Sequence, residues 1–201
     1  MVLPAQDLCA AISMYNQPMK PAIFLDRDGV IIQNRPDYVR SWNDAEFLPA
    51  AVDALARLAP APYPIVFVTN QSAVGRGIIS LETAQEINRR LVAELRAQGC
   101  RVDGIFMCPH APEDGCACRK PKPGLLFQAA EALGIDLSAS VMIGDAWTDL
   151  QAGAAAGVPR LGLLLTGRGE QQLLLPRPPE VAHALVFSDL AAALAALLPL
   201  R

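Results

Sequence analysis

The stretch AIFLDRDG, residues 22–29, places four apolar residues directly before an Asp-Arg-Asp-Gly sequence. A short apolar run that ends in polar residues and a glycine is typical of a buried strand followed by a sharp turn. The chain contains five further apolar runs of similar length, at residues 65–69, 104–108, 141–145, 161–165 and 185–187. These runs predict the strands of one buried sheet.

Segments with helical spacing alternate with the apolar runs. They cover residues 50–58, 80–98, 123–133, 146–156 and 189–198, and a glycine ends several of them. Continuous apolar strands separated by helices predict a parallel sheet that is covered on both faces. We therefore expect an α/β fold with a doubly wound, mostly parallel sheet, in which a ligand binds at the carboxyl ends of the strands.

Composition excludes several classes of protein. With 201 residues, 52% apolar and 18% charged, the chain suits one globular domain. A net charge of −3 disfavours a broad nucleic-acid surface. The apolar stretch at residues 190–198 is shorter than the roughly 20 residues of a membrane span. Without a secretory signal pattern, we expect a cytoplasmic protein with no membrane partner.

Domain boundaries follow from the same patterns. Residues 1–18 show no clear period and are predicted to be an N-terminal extension, whereas residues 19–201 are predicted to form the single domain. Residues 108–118 carry three of the five cysteines and form a distinct loop within that domain.

Asp26 and Asp28 follow the first predicted strand, one residue apart and beside Gly29. A sharp turn at Gly29 allows both carboxylates to face one crevice. Two acids held close together separate in proton affinity, so one can act as a nucleophile or metal ligand and the other as an acid. The alternative is a strand-end loop whose acids cap helices.

Asp145 and Asp149 follow the fourth predicted strand. Their spacing of four residues places both on one face of a helix start, although aspartates there also serve as helix caps. Carboxylates that converge on one sheet edge repel one another unless a cation lies among them. Oxygen ligands of this kind suit Mg²⁺.

Polar and basic residues complete the pattern. The second predicted strand leads into Thr69, Asn70, Gln71 and Ser72. These side chains could donate hydrogen bonds to phosphoryl oxygens or simply form a turn. Arg119 and Lys120 could neutralise a phosphate dianion, or could be a solvated basic pair.

Three cysteines and one histidine form a second constellation: Cys108, His110, Cys116 and Cys118. Three sulfurs and one imidazole are enough to close a tetrahedral zinc site with no open position. In a chain with no export signal, such a cluster favours a metal site over disulfides. We therefore expect a structural Zn²⁺ that fixes the loop just before Arg119.

These motifs, in this order, resemble those of the haloacid dehalogenase (HAD) superfamily of phosphatases from about residue 21 to residue 156. Asp26-Arg27-Asp28-Gly29 is similar to the first motif, Thr69 to the second, Lys120 to the third, and Asp145 with Asp149 to the fourth. The resemblance implies a Rossmann-like HAD core. It also implies that Asp26 attacks phosphorus to form an aspartyl-phosphate, while Asp28 protonates the leaving oxygen and then activates water.

The same resemblance implies the metal ligands. Asp26, the backbone carbonyl of Asp28, and Asp145 would hold Mg²⁺, and Asp149 would ligate it or lie behind the ligands. Thr69 and Lys120 would bind the transferring phosphoryl group.

About forty residues separate the first two motifs, which leaves no room for a large cap domain. One strand-like segment, Tyr38–Val39, and one helix are predicted to fill this interval. The zinc loop and residues 34–40 would then shape the pocket, with Asn34 and Tyr38 as substrate contacts.

Among uncapped HAD phosphatases with a zinc loop, the chain resembles two groups. One hydrolyses heptose bisphosphate in lipopolysaccharide or surface-heptose synthesis, and the other hydrolyses histidinol phosphate. LDRDGV, TNQSAVGRG and CRKPKPG look closer to the heptose group. A sugar bisphosphate requires extra cations, which Arg76, Arg35 and Arg119 could supply. One departure is Ala146, where heptose phosphatases often carry Lys.

The expected partner is therefore a small phosphorylated molecule, bound by a monomer. A catalytically silent, zinc-stabilised binding protein is the alternative of a different class. The intact pair of Asp26 and Asp28 argues against that alternative.

Overall fold

Six parallel strands form a single sheet in the order β3-β2-β1-β4-β5-β6. The computed structural model describes residues 19–199, so the predicted extension, residues 1–18, lies outside the described residues. The strands are β1 (Ile23–Leu25), β2 (Ile65–Asn70), β3 (Gly104–Cys108), β4 (Val141–Gly144), β5 (Arg160–Leu164) and β6 (Leu185–Phe187). The order reverses between β1 and β4, which places a crevice between their carboxyl ends.

Helices connect the strands. Between residues 19 and 199 the α-helices are α1 (Pro49–Leu58), α2 (Ser72–Gly75), α3 (Leu81–Ala97), α4 (Gly124–Leu133), α5 (Trp147–Ala155), α6 (Gly169–Leu173) and α7 (Leu190–Leu197). Single 3₁₀ turns lie at Trp42–Asp44, Pro112–Asp114, Leu137–Ala139 and Pro179–Val181. None of the helices described is both long and apolar enough to cross a membrane.

Two apolar layers cover the sheet. In β1, Ile23 and Leu25 face the layer that contains α1, α3 and α7, while Phe24 faces the layer of α4 and α5. The alternation follows from the period of two along a strand. Because both faces are buried, the strands read as continuous apolar runs, and the predicted doubly wound α/β fold is confirmed.

Helix ends agree closely with their sequence signals. The Ser80 side chain accepts a hydrogen bond from the Thr83 amide at 3.1 Å and begins α3. Gly99, with φ of 80°, follows the end of the same helix. The two short helices α2 and α6 were not predicted, since four or five residues are too few to show a helical period.

The predicted strand-like segment at Tyr38–Val39 is wrong. Tyr38 adopts the left-handed conformation with φ of 65°, which breaks an extended chain, and residues 33–40 form a loop. Between β1 and β2 the structure places one 3₁₀ turn and α1, so this interval of the chain contains no large cap.

A close approach of two glycines fixes the turn after β1. Gly29 has φ of 82° and Gly167 has φ of 57°, and a Cβ on either residue would overlap the Asp145 carboxylate. The Thr166 hydroxyl donates to the Gly29 carbonyl at 2.6 Å and ties the two loops together. The turn after β1 and the loop after β5 therefore enclose the Asp145 side chain from two sides.

Replacing Gly29 by alanine should destabilise the protein far more than the same change at Gly99. Both glycines have nearly the same positive φ, but nothing lies within 4 Å of a Cβ at Gly99. Gly99→Ala should lower the free energy of unfolding by about 1 to 2 kcal/mol, from backbone strain alone. Gly29→Ala should lower it by at least about 2 kcal/mol more, because of the overlap with Asp145. If urea denaturation gave the same loss of unfolding free energy for both variants, the close packing of Gly29 against Asp145 would have no effect on stability.

Candidate active site

A cavity of about 410 Å³ lies at the carboxyl ends of the central strands. We call it the strand-end cavity; it is lined by Asp26, Asp28, Asn34, Arg35, Pro36, Tyr38, Val39, Asn70, Gln71, Ser72, Arg119, Lys120, Thr148, Asp149 and Arg168. Its acids come from the loop after β1 and from the first turn of α5, and its cations come from the loop after β1, the segment before α4 and the loop after β5. A larger groove between α3 and β3 has no acid, histidine or cysteine in its lining. The strand-end cavity is therefore the candidate site.

Asp26 lies on the floor of this cavity and is almost completely buried. Its Oδ1 accepts hydrogen bonds from the Lys120 ammonium at 2.9 Å and from the Arg27 amide at 2.7 Å. Burial raises the pKa of Asp26 to about 6, against the opposing effect of Lys120. The carboxylates of Asp149 and Asp28 add to this rise.

Lys120 joins two acids beneath the cavity. Its Nζ lies 2.9 Å from Asp26 and 2.7 Å from Asp149, and it donates to the Val68 carbonyl at 2.7 Å. Burial alone would lower the pKa of Lys120, but the two carboxylates raise it above the ordinary value. The ammonium is therefore a fixed positive charge beside Asp26.

The backbone of Lys120 is held by Asn70. The Asn70 side chain accepts from the Lys120 amide and donates to its carbonyl, both at 3.1 Å. The peptide bond between Lys120 and Pro121 is cis. Asn70 thus fixes the loop that carries the lysine.

Asp28 faces the cavity with its side chain 18% exposed. Both of its oxygens accept from the Arg27 guanidinium, at 3.0 and 3.1 Å. Gln71 donates to Oδ2 at 2.8 Å, and the Thr69 hydroxyl lies 3.5 Å from the same oxygen. Residues at the carboxyl end of β2 therefore contact the second acid directly.

Asp145 is fully buried and paired with Arg168. Its Oδ1 lies 2.8 Å from the guanidinium, and its Oδ2 accepts from the Arg168 backbone amide at 2.8 Å and side-chain Nε at 3.2 Å. Burial raises the pKa of Asp145 although Arg168 opposes the rise. Arg168 follows β5 and was not identified from the sequence.

The predicted placement of Asp145 and Asp149 on one helix face is wrong. Ala146 is extended, with φ of −137° and ψ of 151°, so Asp145 lies before α5 rather than within it. Asp149 lies in the first turn of α5 and accepts from the Ala146 amide at 3.0 Å. The two carboxylates nevertheless converge, because the extended residue redirects the chain.

The acids fit a divalent cation. Asp26, Asp145 and Asp149 each offer an oxygen, and these oxygens lie within 4.8 Å of one another in a buried setting. Buried carboxylates at this spacing need positive charge beyond Lys120 and Arg168, and oxygen donors suit Mg²⁺. The Asp28 side chain is not part of this cluster, and ligation by its backbone carbonyl stays a prediction.

The cysteine cluster is also assembled. Cys108, His110, Cys116 and Cys118 offer donor atoms within 4.8 Å of one another. Neighbouring donors are 3.3 to 3.6 Å apart. A tetrahedral zinc ion separates its sulfur and nitrogen ligands by about 3.5 to 3.8 Å, from bonds of about 2.3 and 2.0 Å. This set could therefore hold Zn²⁺ with little adjustment.

Cavity-wall residues come from three loops. Asn34, Arg35 and Tyr38 approach from the loop after β1, Arg119 from the segment after the cysteine cluster, and Arg168 from the loop after β5. Arg76 does not line the cavity, since its guanidinium lies 3.7 Å from Glu113. The distal-phosphate role expected for Arg76 therefore has no support from its position.

Four residues at or beside the site were not assigned a role from the sequence. Arg27 and Asn88 support Asp28, while Thr148 and Arg168 line the cavity. For Arg27 the sequence offered one signal, its place between the two acids of the DRDG motif. For the other three, no local pattern indicates the contact.

Comparisons with known proteins agree with this geometry. A family model described as HAD-hydrolase-like matches residues 117–193. The D-glycero-beta-D-manno-heptose-1,7-bisphosphate 7-phosphatase of Pseudomonas aeruginosa is 40% identical over 176 residues, which cover 88% of this chain and 97% of the relative. The enzyme of the same name from Bordetella bronchiseptica is 42% identical over 85% of this chain and 93% of its own length.

A solved structure is similar over the same span. The crystal structure of D,D-heptose 1,7-bisphosphate phosphatase from B. bronchiseptica, complexed with magnesium and phosphate, superimposes with a TM-score of 0.78. It is 41% identical and covers 87% of this chain and 95% of its own. Identity at this level over nearly the whole length of the relatives shows common descent and a common fold. The chain therefore belongs to the HAD-like phosphatases, in the family of the heptose-1,7-bisphosphate 7-phosphatases.

Proposed function

We propose that the chain removes the 7-phosphate of D-glycero-D-manno-heptose 1,7-bisphosphate through an aspartyl-phosphate at Asp26, with Mg²⁺ as cofactor. The observation that carries this proposal is the buried Asp26 carboxylate at the floor of the strand-end cavity, with Lys120 on one oxygen and other acids around it. The relatives' names support the substrate and favour its beta anomer. The magnesium and phosphate bound by the B. bronchiseptica enzyme support the cofactor.

Asp26 attacks through Oδ2. The other oxygen, Oδ1, already accepts from Lys120 and from the Arg27 amide, so its lone pairs are directed away from the substrate. As the Oδ2–phosphorus bond forms, the bond from phosphorus to the sugar oxygen breaks, and Asp28 gives that oxygen a proton. Water then attacks the aspartyl-phosphate while Asp28 takes the proton back, which releases phosphate.

Lys120 and the metal offset the charge on the transferring group. Lys120 keeps its proton between two acids, so its charge is available through both steps. Asp26, Asp145 and the Asp28 carbonyl would hold Mg²⁺, which would supply electrostatic stabilisation of the phosphoryl oxygens. Asp149 orients Lys120 through Oδ1 and belongs to the same cluster of carboxylates as Asp26 and Asp145.

The wall of the cavity favours a bisphosphate. Arg35, Arg119 and Arg168 line it, and its acids are those of the floor and of α5. A second phosphate would meet guanidinium groups, which bind phosphate in a bidentate manner. Histidinol phosphate carries an amine, which would require acids on the wall instead. Cations on the wall therefore support the sugar bisphosphate over the amine.

We further propose that Zn²⁺ fills the cysteine cluster and holds the loop that leads into Arg119 and Lys120. Only one residue separates Cys118 from Lys120, so a fixed sulfur limits how far the catalytic lysine can move. The thiol-rich cluster also supports the proposed cytoplasmic location, where reducing conditions keep these ligands available. A monomeric state and the domain boundary at residue 19 stay predictions.

Asp26→Asn should lower kcat by at least about 1,000-fold, because an amide cannot form the aspartyl-phosphate. The measurement is phosphate release from heptose bisphosphate with Mg²⁺, together with acid-quenched trapping of the phosphoenzyme. Asp53→Asn, on the exposed face of α1, is the matched control and should keep wild-type activity. Turnover by Asp26→Asn at the wild-type rate would identify a different nucleophile.

The wild-type enzyme should prefer heptose 1,7-bisphosphate to histidinol phosphate by at least about 100-fold in kcat/KM. The difference arises because a distal phosphate gains guanidinium contacts that an amine cannot make. Both heptose anomers should be assayed beside histidinol phosphate. A larger kcat/KM for histidinol phosphate would overturn the proposed substrate and leave the nucleophile intact.

Cys116→Ser should lose zinc, melt at a lower temperature and lose activity together, because zinc binding contributes to local folding. Metal content by elemental analysis should fall from about one zinc per chain to near zero. Cys100→Ser is the matched control, since Cys100 is a buried thiol outside the cluster. A fully active, zinc-free Cys116→Ser protein would contradict the structural role of zinc.

A further inference from the structure

Arg27 is the bulkiest of the fully buried side chains between residues 19 and 199, with 1% of its surface exposed. A guanidinium taken out of water must be paired, since an uncompensated buried charge is strongly destabilising. Arg27 lies between Asp26 and Asp28 in sequence, but its side chain turns beneath the cavity floor. Its position therefore calls for an explanation beyond ordinary packing.

The guanidinium of Arg27 donates hydrogen bonds to two residues. Nε and one terminal nitrogen donate to the two oxygens of Asp28, at 3.1 and 3.0 Å. The other terminal nitrogen donates to Asn88 Oδ1 at 2.7 Å. A planar fork on a carboxylate sets both its position and its plane, which a lysine ammonium cannot do.

Asn88 is itself an unusual choice for its position. It lies in the middle of α3, 5% exposed, where an apolar residue would pack equally well and favour the helix more. Its amide nitrogen contacts the Met107 sulfur at 3.4 Å, so the side chain is held from β3 as well. The carboxamide oxygen then points at Arg27.

We propose that Arg27, oriented by Asn88, is the positioning residue for Asp28. The two residues connect α3 to the acid that transfers the proton, so helix packing sets where that proton is delivered. This inference rests on the proposed role of Asp28 as the acid for the leaving oxygen. Arg27 and Asn88 act through Asp28, and neither contacts the reacting atoms.

The test compares two leaving groups. A sugar alkoxide needs a proton as the bond to phosphorus breaks, whereas p-nitrophenolate is stable without one. The value of kcat/KM reports only the first phosphoryl transfer, so water attack in the second step does not affect the comparison. Misplacing Asp28 should therefore harm the sugar phosphate selectively.

Arg27→Lys should lower kcat/KM for the sugar phosphate by about 100-fold and that for p-nitrophenyl phosphate by less than about tenfold. Asn88→Ala keeps the guanidinium of Arg27. The loss of kcat/KM for the sugar phosphate should therefore exceed that for p-nitrophenyl phosphate by a smaller factor, about tenfold. Equal losses on both substrates in either variant would reduce Arg27 to a structural residue. If Arg27→Lys fails to fold, Asn88→Ala decides the question alone.

Two further variants complete the design. Arg101→Lys is the matched control: Arg101 is a structural arginine that binds the carbonyls of Ala59 and Ala61 at the opposite end of the sheet. It should lower the melting temperature and leave the ratio of the two substrates unchanged. A shift in that ratio for Arg101→Lys would mean that general destabilisation produces the effect, and the inference would fail.

Asp28→Asn separates this inference from the proposed function. Of all the variants, Asp28→Asn should lose the most kcat/KM for the sugar phosphate relative to p-nitrophenyl phosphate. If its losses on the two substrates are equal, the proposed acid is wrong, and the inference falls with it. If Asp28→Asn discriminates but Arg27→Lys and Asn88→Ala do not, only the positioning role fails. If the wild-type enzyme rejects heptose bisphosphate, another alkyl phosphate that it hydrolyses serves as the sugar substrate.

Discussion

Charge matching among buried acids is the constraint on which this structure depends. Four carboxylates meet at one edge of the sheet, and each contacts a cation: Asp26 and Asp149 contact Lys120, Asp28 contacts Arg27, and Asp145 contacts Arg168. Removing Lys120 or Arg168 would leave a buried carboxylate without its cation, which costs more stability than losing an exposed ion pair. The acids can therefore exist only in a fold that delivers these cations to the same edge.

Each cation reaches the edge by a different structural route. Arg27 is contributed by the acid loop itself and is anchored on α3. Lys120 follows the cysteine cluster, and its backbone is held by Asn70, the last residue of β2. Arg168 follows β5, where Gly167 allows the loop to approach Gly29. The site thus depends on packing between distant segments of the chain.

Sequence predicted well what local physics determines. Strands β3 and β6 were placed at their observed bounds, because buried parallel strands read as unbroken apolar runs. The convergence of Asp26 and Asp145 followed from the rule that parallel strands end at one edge. What depends on the path of a loop was not predictable: Tyr38 adopts a left-handed conformation that no residue pattern indicated. The roles of Arg168 and Asn88 were not predictable either, since their partners, Asp145 and Arg27, lie 23 and 61 residues away in the sequence.

The residue after Asp145, Ala146, carries no charge, and the cation beside Asp145 comes instead from a distant loop. A lysine directly after Asp145 would place a cation beside the acids, and this chain has an alanine there. Arg168 lies against the same carboxylate from another loop, with 42% of its side chain exposed and on the cavity wall. With Asp28 ionised, four acids and three contacting cations carry one net negative charge, and a bound divalent ion would change that net charge to plus one. That surplus suits a phosphate dianion, and metal and substrate should therefore each bind more tightly in the presence of the other.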